Sequence, residues 1–126
     1  MMKSRENLVR LKQFQVNEKR RQLSQLDMMI AEFDRMATEL EIQIAAEEKK
    51  AGITDINHFA YPTFATAARL RRDNLKNSQN DLISQKSVAE AILAEAEAEL
   101  SKAELLESRD PRHRDGDGDM RSAMIG

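Results

Sequence analysis

The sequence predicts an all-α fold: two long helices folded back on each other as an antiparallel coiled-coil hairpin. Three observations lead there: a composition poor in helix breakers and aromatics, an uninterrupted seven-residue apolar repeat, and complementary blocks of charge. Aromatic residues make up 4% of the 126 residues and charged residues 33%, with no Trp, one Tyr and four Phe. A compact globule needs bulky side chains to fill its core, and these are scarce. Gly and Pro together number six, while Ala, Glu, Leu, Lys, Arg and Gln dominate, a balance that favours long helices.

The first helix is expected over residues 4–51. Val9, Val16, Leu23, Ile30, Ala37, Ile44 and Ala51 recur every seven residues. Three residues after each of the first six come Lys12, Lys19, Leu26, Phe33, Leu40 and Glu47. Ten of these thirteen positions are apolar, about twice what an overall hydrophobic content of 40% would place there. A heptad sustained this long marks a helix that supercoils around a partner. Met29 and Met36 are expected to widen the seam on one side, and the Lys positions to loosen it near the N-terminus.

Residues 52–62 form the connection. Gly52 suits the left-handed residue that ends a helix, and Pro62 suits the first turn of the next one. The second helix is expected over residues 63–108, with its repeat at Ala68, Leu75, Leu82, Ala89, Ala96 and Ala103. Phe64, Ile92 and Leu106 read as companions to that row, with Leu93 and Leu100 taking over past residue 86 as the seam drifts. The Asn-rich stretch 73–80 has one large apolar residue and is expected to be held mainly by its partner helix. Residues 1–110 thus form the hairpin, and 111–126 read as a disordered tail.

Charge selects the antiparallel arrangement. Residues 1–21 carry net +5, 22–51 net −4, 52–87 net +2 and 88–110 net −5. Folding about residue 57 sets each block beside its opposite, whereas a parallel register sets like beside like. Flanking charges choose orientation in coiled coils even though single exposed pairs contribute little.

The residues offer little chemistry. His58 and His113 lack a metal-ligand spacing and Cys is absent, so no metal, cofactor or catalytic residue is expected. Asp115, Asp117 and Asp119 imitate the start of a calcium loop, but Met120 replaces the required Gly. No glycine-rich phosphate loop or concave catalytic site can be built, so the chain is expected not to be an enzyme. A net charge of −2 and basic runs without interleaved aromatics argue against nucleic acid. No run reaches the roughly 18 apolar residues of a membrane span, and the N-terminus has no secretory core. A cytoplasmic protein that binds other proteins is the expectation. The loop gathers Ile53, Ile56, Phe59, Tyr61 and Phe64, and these either cap the coiled coil or present a partner-binding tip.

The opening MKSRENLVRLKQFQVNEKRRQLSQL, the hairpin pattern and the loop AGITDINHFAYPTF resemble FliJ proteins of the bacterial flagellar export apparatus over residues 2–110. The resemblance implies an antiparallel coiled coil, similar to the stalk of rotary ATPases, in the pore of the hexameric flagellar export ATPase. It implies promotion of ring assembly and activity, contact with the export gate protein at the inner membrane, and some escorting of export chaperones. By analogy with rotary stalks, Arg5, Leu8, Arg10 and Lys12 would meet the ATPase, and Ile53, Phe59, Tyr61 and Phe64 the gate. A general coiled-coil chaperone and a structural coiled-coil subunit are the competing readings.

Overall fold

The computed structural model describes residues 2–109, with side chains from Ser4 onward. Two helices account for nearly all of it: α1 over Met2–Ala51 and α2 over Thr63–Ser108. They form an antiparallel coiled-coil hairpin. The tail expected after residue 110, with His113 and the aspartate series, lies outside the described residues.

The helices make two contact units, one from residues 24–87 and one combining the ends of the chain, residues 2–23 with 88–109. In the first, Ile44, Tyr61, Ala65 and Ala68 form a buried cluster, with Leu40 and Ile53 packed against it. Ala37 and Leu82 are buried further along the same unit. In the second, Val16 is fully buried and Ala103 nearly so. The α1 heptad rows are buried or half-buried from Val9 to Glu47. That includes the polar positions Lys12, Lys19 and Glu47, each half-buried. Ala51, on the last turn, is exposed.

Three expectations need correction. Met29 stays 47% exposed, so only Met36 flanks the α1 seam as a half-buried residue. Phe64, Ile92 and Leu106 are all exposed and are not seam residues of α2. The companion row of α2 is instead Ala65, Arg72, Gln79, Lys86, Leu93, Leu100 and Glu107, buried or half-buried and seven apart throughout. The seam therefore does not drift: Leu93 and Leu100 continue a row whose middle members are polar.

Two of those polar members, Gln79 and Lys86, find partners on α1. The Gln79 amide donates to the Ile30 carbonyl at 3.2 Å and to Asp34 at 3.4 Å. Lys86 pairs with Asp27 at 2.7 Å, and the half-buried Arg72 reaches its neighbour Asp73 at 3.0 Å. The Asn-rich stretch is thus pinned by a side chain that bonds the facing backbone. Among the described residues, no buried side-chain polar atom lacks a partner.

Candidate partner-binding surfaces

The loop is built by successive backbone devices. Gly52 adopts φ 71°, and the amides of Gly52 and Ile53 both donate to the Glu48 carbonyl, at 2.8 and 3.2 Å. This left-handed helix stop satisfies the Glu48 carbonyl twice over and folds Ile53 back onto the core. Asp55 then organises a turn: its carboxylate accepts from the Asn57 amide at 2.9 Å and its carbonyl from the His58 amide at 3.1 Å. His58 repeats the pattern, accepting from the Ala60 amide at Nδ1 and from the Tyr61 amide at its carbonyl, both at 3.0 Å. Pro62 closes the loop, its carbonyl taking the first helical bond of α2 from Thr66.

These turns divide the aromatic cluster. Tyr61 is driven inward, where it packs on Ile44 and donates its hydroxyl to Glu48 at 2.8 Å. Burial and the Glu48 carboxylate push the Tyr61 hydroxyl above its usual range. Ile53 is half-buried on the same cluster. Phe59 points the other way and is 97% exposed, its ring stacked on His58 at 4.7 Å between centroids. Ile56 and Phe64 are about half exposed. Of the four predicted tip residues, Ile53 and Tyr61 cap the core, while Phe59 and Phe64 stand free. Ile56 joins them as the exposed apolar member of the loop.

The predicted residues near the N-terminus are divided in a similar way. Arg5 donates to the Leu106 carbonyl at 3.0 Å. Lys12, half-buried in a seam position, lies 3.5 Å from Glu99. Arg20 pairs with Glu97 at 3.1 Å about two turns further along α1, so basic α1 residues here tie down the acidic end of α2. Leu8 is half-buried and Arg10 exposed. Arg10 lines a shallow depression with Glu6, Val9 and Glu107. Two exposed residues were missed, Leu11 and Phe14, the latter 62% exposed. Their signal was present in the heptad, which puts both on the face of α1 away from the seam.

Among the described residues there is no cluster of three metal-ligating side chains, and no helix is long and apolar enough to cross a membrane. Exposed apolar side chains stand at the loop, Ile56 and Phe59, and around residues 10–14, where Leu11 and Phe14 lie beside the exposed Arg10. No family model, curated protein or solved structure matches the chain.

Proposed function

We propose that this chain acts by binding and not by catalysis, as a component of the bacterial flagellar protein export apparatus. In this reading the hairpin binds the export ATPase ring, promotes its assembly and activity, and touches the export gate from the cytoplasmic side of the inner membrane. The resemblance of residues 2–110 to FliJ proteins carries the proposal. The exposed Phe59 is the observation that best supports a gripping tip, because a phenyl ring held almost wholly in water costs solvation that a partner would recover.

The division of residues sharpens the sites. Phe59, with Ile56 beside it in the loop, is the proposed gate contact; Arg10, Leu11 and Phe14 form the proposed ATPase contact. Arg5, Lys12, Ile53 and Tyr61 serve mainly to hold the hairpin. The test measures ATP hydrolysis and hexamer formation by the flagellar export ATPase with and without this chain. Faster hydrolysis with more hexamers is expected. Phe59→Ala with Ile56→Ala should weaken binding to the gate protein and leave ATPase stimulation intact, and Phe14→Ala with Arg10→Ala should do the reverse. No change in rate or assembly would sink the proposal and favour a general chaperone.

A further inference from the structure

The loop holds two turns in tandem, built to one plan. In each, the first residue's carbonyl accepts from the amide three residues on: Asp55 from His58 at 3.1 Å, and His58 from Tyr61 at 3.0 Å. The first residue's side chain also accepts from the amide two residues on. The Asp55 carboxylate takes that of Asn57 at 2.9 Å, and His58 Nδ1 takes that of Ala60 at 3.0 Å. The residue enclosed by this second bond is the one that projects. It is Ile56 in the first turn, 51% exposed, and Phe59 in the second, 97% exposed and stacked on the His58 ring. The two exposed apolar side chains of the loop therefore hold the same place in two copies of one motif.

The two turns differ in the acceptor. A carboxylate accepts down to about pH 4, where it takes up a proton. An imidazole nitrogen accepts only while it is unprotonated, and an ordinary imidazole changes charge between about pH 5 and 8. Once both ring nitrogens carry hydrogen, Nδ1–H faces the Ala60 N–H, donor against donor, and the bond is lost. The charged groups around the ring do not replace it. In the loop the Asp55 carboxylate is engaged by Asn57, and on α1 Glu48 is engaged by the Tyr61 hydroxyl. Lys49 and Lys50 stand on the last turn of α1, and Arg69 of α2 faces the Tyr61 hydroxyl. Among the described residues, none of these side chains bonds or pairs with the His58 ring.

We propose that His58 is a proton-sensitive positioning residue for Phe59. Neutral, its ring closes the second turn and holds Phe59 outward at the tip. Protonated, it releases the Ala60 amide while the Asp55 turn stays closed. The cap is complete above the imidazole titration and is lost as pH falls through it, so acid loosens Phe59 and leaves Ile56 in place. The device belongs to the loop alone and does not rest on the proposed function; only its effect on gate binding does.

Solvent exchange of single backbone amides in the full chain, read by NMR and divided by the rate of an unstructured chain at the same pH, tests this. At about pH 7.5 the Ala60 amide is expected to be protected about fivefold, the factor that a hydrogen bond of ordinary net strength gives. At about pH 5 that protection should be gone, while the Asn57 amide keeps its own. His58→Asn should hold Ala60 protected at both pH values, because the Asn carbonyl oxygen accepts from the same amide and does not titrate. His58→Ala should leave Ala60 unprotected at both. Wild-type protection of Ala60 that does not change with pH overturns the proposal. So does a fall that persists in His58→Asn, or an equal fall at Asn57, which would make the change a general loosening of the loop. Binding to the export gate protein should weaken toward acid in the wild type and not in His58→Asn. The expected Ala60 behaviour with no gate binding at either pH would remove the proposed gate contact and leave this inference standing.

Discussion

Gly52 and Tyr61 show how single residues set the loop. Gly52 holds φ 71°, a region where an L side chain sets its Cβ against the neighbouring carbonyl, and a Cβ there would meet no other atom within 4 Å. Gly52→Ala is therefore expected to cost about 1–2 kcal/mol through the backbone alone. Gly52→Asn should cost less, since Asn tolerates the left-handed region, and thermal unfolding of the two variants checks the order. Tyr61 is the single tyrosine and Trp is absent, so the ultraviolet absorbance of tyrosinate reports this one hydroxyl. Its raised pKa means that the folded state favours the neutral phenol. The resulting stability is fully present below the unfolded value of about 10 and is lost as pH rises through the folded value. An alkaline titration should show Tyr61 ionising above a model tyrosine, and Glu48→Ala should bring the midpoint down. A midpoint at or below that of a model tyrosine would contradict the buried contact. The sequence placed Tyr61 and Phe59 in one cluster but could not assign their directions. Two rings two residues apart look alike until the Asp55 and His58 turns decide which one enters the core.

At the scale of the helix, α1 was readable and α2 only half so. The rows of α1 are mostly large and apolar, so the seven-residue period stood out, and even its Lys positions proved to be seam positions. In α2 one row was found from its Ala and Leu members, but its companion was mistaken for Phe64, Ile92 and Leu106. The true companions include Arg72, Gln79 and Lys86, long polar side chains whose stems are half-buried while their ends reach partners. An apolar count misses such residues, and exposed aromatics nearby attract the assignment instead. Polar seam residues fix register at a cost in stability. Gln79→Leu should therefore raise stability by about 1 kcal/mol, a few degrees in thermal midpoint, if apolar contact outweighs the two lost hydrogen bonds. A fall in midpoint would instead show that the bond to the Ile30 carbonyl is a net stabiliser. Ile44→Ala, by contrast, empties the best-packed cluster and should cost about 2–5 kcal/mol.

The charge blocks that select the antiparallel fold nearly coincide with the two contact units. The unit made from the chain ends joins the +5 block to the −5 block, and the unit of residues 24–87 joins −4 to +2. Their apolar content runs the other way. Val16 and Ala103 are the buried apolar residues of the first, whereas the second buries Ala37, Ile44, Tyr61, Ala65, Ala68 and Leu82. The first unit thus relies more on ion pairs such as the exposed Arg20–Glu97 and the half-buried Lys12–Glu99, and salt screens exposed pairs far more than it weakens apolar contact. Hydrogen exchange should accordingly find the amides around Ile44 and Ala65 protected longest and those around Val16 and Ala103 opening first. Raising sodium chloride from about 0.01 M to about 0.5 M shortens the screening length from roughly 30 Å to a few ångströms, and the gap in protection should widen. Protection around Val16 that matches or exceeds that around Ile44, or a gap that narrows with salt, would mean that ion pairing is not what holds the chain ends together.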